Sequence, residues 1–179
     1  MNQVLVTLQN EIKLSRSRIL KEINSISTAD GSKKNDVESW NIQEVIEHLV
    51  LAERGGFNLI YTAAEKFRIG EPAWEGKSEN DGLSMEEIIK RTWKPKEKAP
   101  PSATPNGKWT LGVWSAHFRN CDDLLKELNS ILDGLPLNEV IYPHFLCGPL
   151  NVIQRLEFIR YHIDRHHLQI IEMKRTFKI

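Results

Sequence analysis

His162 and His166 stand four residues apart near the carboxyl end of the chain. At about 100° of rotation per residue they are neighbours, one turn apart on one helix face. Around them Leu156, Ile159, Ile163, His166, Ile170, Met173 and Phe177 step by threes and fours, the buried seam of an amphipathic helix. The pair falls on one edge of that seam. Two imidazoles so placed can grip one metal ion, although spacing alone also allows two edge histidines satisfied by hydrogen bonds. His48 lies on the edge of another apolar face, and it would add a third nitrogen if the two helices are adjacent. Three neutral nitrogens, with a fourth position left for water or substrate, make the ligand set of an open catalytic zinc site. A dication on such ligands keeps its full charge, lowers the pKa of a bound water to about 7 and takes a thiol as its thiolate. Imidazole suits nickel, iron(II) and copper as well, so the donors do not name the metal.

Four amphipathic segments must position these rings. In the first, Leu5, Leu8, Ile12, Ile19, Ile23 and Ile26 share a seam, with Lys13, Arg16, Arg18 and Lys21 interleaved. The polar stretch 27–39 reads as a loop. The second helix starts at Asn41, an N-cap that Glu44 completes as a capping box, and Trp40 is placed to staple onto Val45. Its apolar face runs Ile42, Val45, Leu49, Ala52, Gly56, Leu59 and Ala63. Glycines such as Gly55 and Gly56 each cost a helix about 1 kcal/mol relative to alanine. The return is either a hollow beside His48, walled by Ala52, Gly55 and Gly56, or close approach of another helix.

Residues 67–110 break the pattern. Ser84, with Glu87 three residues on, opens a short capped helix that Lys94-Pro95 ends. The proline-rich stretch 99–108 then reads as a non-helical crossover draped over the other elements. In the third long helix Leu111, Trp114, Phe118, Cys121, Leu125, Leu128 and Leu132 form the seam, and Asp133-Gly134 stops it. Cys121 on that seam reads as a core thiol, and His117 at its edge as a satisfied or surface histidine that could still reach the site. Residues 135–149 read as a loop, and Asn151 with Gln154 caps the helix that carries the opening pair. Four such helices, one long crossover between the second and third, and almost no strand signal predict an all-α four-helix bundle, one domain over 1–179.

Composition narrows the function. Twenty-four basic residues balance 24 acidic ones, so no field favours nucleic acid or an anionic membrane. Lys94, Lys96 and Lys98 cluster, but Glu97 interrupts them and the group reads as a solvated loop. The first residues lack the pattern of a signal peptide, and no apolar run reaches transmembrane length. Cys121 and Cys147 are too few for a disulfide framework, which suits reduced, cytoplasmic surroundings.

Taken together, Trp40-Asn41-x-x-Glu44-Val45-x-x-His48-Leu49, Gly148-Pro149-Leu150 and His162-x-x-Arg165-His166-x-x-Gln169-Ile170 resemble the DinB superfamily of metal-binding four-helix bundles. Pro100-Pro101-x-x-x-Pro105-x-Gly107-Lys108-Trp109 and His144-x-x-x-Gly148 resemble the branch that contains the bacillithiol S-transferases. Phe145 departs from it, standing where the family often has proline. The resemblance spans most of the chain. It implies a crossed bundle, a divalent metal (zinc or nickel first, iron(II) next) on His48, His162 and His166, and a homodimer. His167 does not match the pattern and reads as a hydrogen-bonded or surface histidine.

Three functions compete on this reading. The first is a metal-dependent transferase that activates a low-molecular-weight thiol for attack on an electrophile, with Glu47, Asp164 and Arg165 supporting the ligands, gripping a carboxylate on the thiol, or simply solvated. The second is a metal-dependent hydrolase of an amide or ester, for which no general base stands at a diagnostic spacing. The third is a non-enzymatic, stress-related bundle whose metal is structural. That would need a fourth protein ligand, His117 or His144, and His144 starts about 20 Å along the helix from the metal unless its loop folds back.

Overall fold

The computed structural model of the protein describes residues 2–94 and 97–179, and its architecture is mostly helical. The long helices are α1 (Gln3–Ile23), α3 (Ile42–Arg68), α5 (Leu111–Leu132) and α6 (Val152–Phe177); the short ones are α2 (Thr28–Gly31) and α4 (Met85–Thr92). Each long helix has a neighbour on two sides: α1 packs on α5 and α6, and α3 packs on the same two. The adjacency that the three-histidine site requires, α3 beside α6, is therefore present.

Local chemistry sets the helix starts. Asn41 and Asn151 each accept from the backbone N–H three residues on, and Glu44 and Gln154 return the bond, as the capping boxes predict. Ser84 and Glu87 do the same for α4. Its C-cap is Trp93; Pro95, expected to end it, and Lys96 lie outside the described residues. Gly134, at φ +74°, takes the left-handed conformation just past α5.

The seams expected of α1, α5 and α6 are buried, and they meet in one core. Each fully buried Ile, Leu or Phe there contributes about 1.5–3 kcal/mol. In α3 Gly56 and Ala63 are buried as expected, but Leu59 is 45% exposed, and Val50, Glu53, Phe57 and Ile60 share the buried face. Arg16, one of the charges interleaved with the α1 seam, is 0% exposed, and its guanidinium holds both Glu53 and Asp122.

Both stretches read as loops contain structure. Ser27 caps α2. Residues 135–149 include most of a hairpin, β1 (Ile141–His144) against β2 (Gly148–Asn151), antiparallel with Pro143 opposite Pro149. Strands of four residues that carry prolines give no alternation to read, which is why the pattern missed them. Gly148 at φ +73° makes the turn back, and Phe145, at the tip, is exposed. A smaller apolar cluster of Met85, Ile88, Cys147, Leu150 and Phe158 seats the hairpin and α4. Among the described residues no helix is long and apolar enough to cross a membrane.

The crossover between α3 and α5 does drape over α3, and it is tied there. Its one helical turn, Pro101–Ala103, packs on α3. Glu47 accepts from the backbone N–H of Asn106 at 2.9 Å and of Gly107 at 3.0 Å. Glu47 is 0% exposed, so it is neither a solvated charge nor a partner of the histidines: it pins the strap.

Candidate metal centre

α3 and α6 bring His48, His162 and His166 to one point. The Nε2 atom of His162 lies 3.1 Å from that of His48 and 3.1 Å from that of His166. One ligand atom from each ring lies within 4.8 Å of the others, close enough to hold a metal ion.

The outer ring nitrogens are already committed. His48 Nδ1–H donates to the Ala103 carbonyl at 2.7 Å, which leaves its Nε2 with a free lone pair. His166 Nδ1–H donates to Gln169 Oε1 at 2.7 Å, with the same result. Tetrahedral zinc at about 2.0–2.1 Å from each nitrogen sets them about 3.3 Å apart, so the two 3.1 Å spacings open slightly, and the third, within 4.8 Å, closes to match. Donor type, direction and separation all fit a divalent transition metal.

Burial, aided by the neighbouring imidazoles and by Arg155 and Arg165, holds His162 well below the usual imidazole range. Burial also lowers His48 and takes His166 to about 3. The three rings are thus neutral donors at physiological pH, as metal ligation requires. His144 is pushed to about 3 as well, by burial and by Arg155. A histidine whose pKa falls on folding stays unprotonated in the native state, while the unfolded chain takes up protons below its ordinary 6.5. Stability that is complete above about pH 6.5 is therefore lost progressively towards pH 3. Urea midpoints of chelator-treated protein are expected to be lower at about pH 4.5 than at pH 7, and His144→Gln should narrow the gap. Equal wild-type midpoints would contradict the burial of these rings.

The trio sits in the wall of a cavity of about 210 Å³. Ala52, Gly55 and Gly56 line it, so the expected hollow exists, and α6 also approaches closely there. A Cβ on Gly55 would meet nothing within 4 Å, whereas one on Gly56 would lie 3.1 Å from Arg155 Nη2. The two explanations of the glycines apply to one residue each.

The remaining candidates separate cleanly. His117 stacks on Trp109, 5.5 Å between ring centroids, and is not one of the three. His144 does fold back over α6: it is buried, lines the cavity and lies 4.4 Å from the Phe158 ring. Its Nδ1 accepts from the backbone N–H groups of Leu146 and Cys147, so that nitrogen faces the hairpin. His167, expected to be hydrogen-bonded or on the surface, is half-buried, and its Nε2 has no hydrogen-bond partner. Asp164 pairs with Arg18 and Arg160. Arg165 lies over the Trp93 ring and donates to the Lys94 carbonyl. Glu97 and Lys98 are exposed, as a solvated loop requires, and they also reach the lining of the cavity. Cys121 is a core thiol pushed up to about 12 by burial, and burial also raises Cys147.

Pattern reasoning assigned no role to Ala103 or Gln169. The first acts through its backbone and leaves no side-chain signal. Gln169, one turn beyond His166, is the readable one. Gln169→Leu is expected to weaken zinc binding by about 10–100-fold in a competitive chelator titration, because it frees the His166 ring; unchanged affinity would remove Gln169 from the site.

No protein-family model matches the chain, and no curated protein matches it at a significant level.

Proposed function

We propose that the protein is a DinB-like four-helix bundle and a metal-dependent transferase, joining a low-molecular-weight thiol of bacillithiol type to an electrophile. One observation carries the reading: three Nε2 atoms converge on the cavity, with two of the far nitrogens held as donors. A divalent ion there, zinc or nickel in first place and iron(II) next, supplies a Lewis acid that favours a thiol in its thiolate form.

The chain's own residues do the rest. The Ala103 carbonyl and Gln169 fix the orientation of two rings, so little reorganisation accompanies binding. Ala52, Gly55 and Gly56 leave room beside His48 for a guest, and Trp93 and Phe158 give the cavity apolar walls that limit water. Hydrolysis is less well supported. Of the nearby buried carboxylates, Glu47 is occupied by the strap, and Glu53 is paired through one oxygen with Arg16 and is not among the groups gathered at the three imidazoles. A structural metal is less well supported too, because neither His117 nor His144 joins the group of three that could hold the ion.

The test is conjugation. Zinc- or nickel-loaded protein, given a bacillithiol-type thiol and a chlorinated aromatic electrophile, is expected to form the thioether well above the background of His48→Ala. Mass spectrometry reads the product. Absence of conjugate across several thiols and both metals removes the transferase reading.

A further inference from the structure

We infer that Arg155 is the anion anchor of the cavity, the residue that takes a carboxylate carried by the bound small molecule. The inference deepens the thiol reading and rests on it for the placement of the ligand's other end.

Two buried arginines in this chain are treated in opposite ways. Arg16 is wrapped by Glu53 and Asp122, the usual solution for a guanidinium out of water. Arg155 is 6% exposed and lines the cavity, yet its Nε and Nη1 are buried with no hydrogen-bond acceptor among the described residues. The groups recorded against it are an aromatic ring, a phenol and two histidines. The Phe158 ring lies 5.2 Å from its central carbon, and the Tyr142 hydroxyl close by is a neutral group that can take one of its protons but cannot balance its charge. Its charge helps to lower the pKa of both His144 and His162. Of the other charged groups on the wall, Glu53 gives one oxygen to Arg16, Arg165 is engaged by Trp93 and the Lys94 carbonyl, and Glu97 and Lys98 are exposed to solvent.

An arginine keeps its charge when buried, so an unpaired one carries a large desolvation cost unless an anion arrives. Its planar fork matches a carboxylate with two parallel donors. Position adds the second constraint. Phe158 adjoins both ends of the cavity floor: its ring stacks on that of His162 at 5.8 Å and lies beneath the guanidinium. A small molecule lying over Phe158 therefore presents an anion to Arg155 and its other end to the three imidazoles. The missing Cβ of Gly56 makes room for the guanidinium.

Two arms test this. Cobalt(II)-loaded protein is titrated with 3-mercaptopropionate and with 3-mercaptopropionamide, and thiolate-to-cobalt absorption reads binding. Metal-free protein is titrated with 3-phenylpropionate and its amide, and the NMR signal of the Arg155 Nε–H, identified by its loss in Arg155→Gln, reads the anchor. The wild type is expected to prefer each acid over its amide by about tenfold or more, from a charge-assisted bond in a buried site. Arg155→Gln should bring the ratio close to one, with Arg155→Lys in between. Equal binding of acid and amide by the wild type, with no movement of the Nε–H signal, overturns the anchor even if the cobalt band appears. A moving Nε–H signal without any cobalt band keeps the anchor and removes the thiol reading. Should Arg155→Gln fail to fold, the wild-type acid-to-amide ratios decide, with the signal identified from Arg155→Lys.

Discussion

His162→Ala is expected to abolish stoichiometric metal binding while leaving the helices folded. His162 is the hinge of the trio, since its Nε2 makes both 3.1 Å approaches. Loss of a supporting residue costs about 10–100-fold in metal affinity, and loss of a ligand should cost more than about 100-fold. Elemental analysis of protein purified without chelator should find one metal per wild-type chain and background levels in His162→Ala. His117→Ala and His167→Ala serve as controls that keep the metal, since both rings lie outside the group. Metal retained at full stoichiometry by His162→Ala would mean that the trio is not the site. Circular dichroism guards against misfolding.

The second large effect is on stability. Arg16→Met leaves Glu53 in the core with no counter-charge, and breaking a buried pair from one side costs about 3–5 kcal/mol. In a chain of this length that lowers the thermal midpoint by about 10 °C or more. Burial already pushes the Glu53 carboxyl up, against the pull of Arg16, so the variant should take up a proton there. Arg16→Met combined with Glu53→Leu is expected to recover most of the loss, because apolar side chains can replace a buried pair. Asp122, the other partner, is partly exposed and can turn to water. A single variant as stable as the wild type would show that the buried pair contributes nothing.

The helices, their starts and the three histidines were legible because each leaves a local or periodic mark. Asn41 with Glu44 and Asn151 with Gln154 are caps that act within one turn, and the seams of α1, α5 and α6 repeat over five or more apolar positions. What stayed hidden depends on contacts between distant segments. Arg16 looks like any other charge on α1 until Glu53 and Asp122 arrive from α3 and α5. The folding back of His144 over α6 depends on the hairpin, whose strands are too short for periodicity to reveal. The shift of the α3 face from Leu59 to Phe57 and Ile60 follows from neighbours on both sides of that helix, which one stripe of a helical wheel cannot express.

Glu47 and His48 are consecutive, and they fasten the same crossover from adjacent positions: one carboxylate takes two of its amides, one imidazole gives its proton to its carbonyl. The segment is therefore a clasp whose latch is also part of the metal seat. Lifting it would release the His48 ring to spin and to swap its tautomer. By thermodynamic reciprocity, whatever steadies that ring from the cavity side must fasten the clasp by the same amount. A loop that looks like packaging is thus one end of a lever, and the cation site is the other.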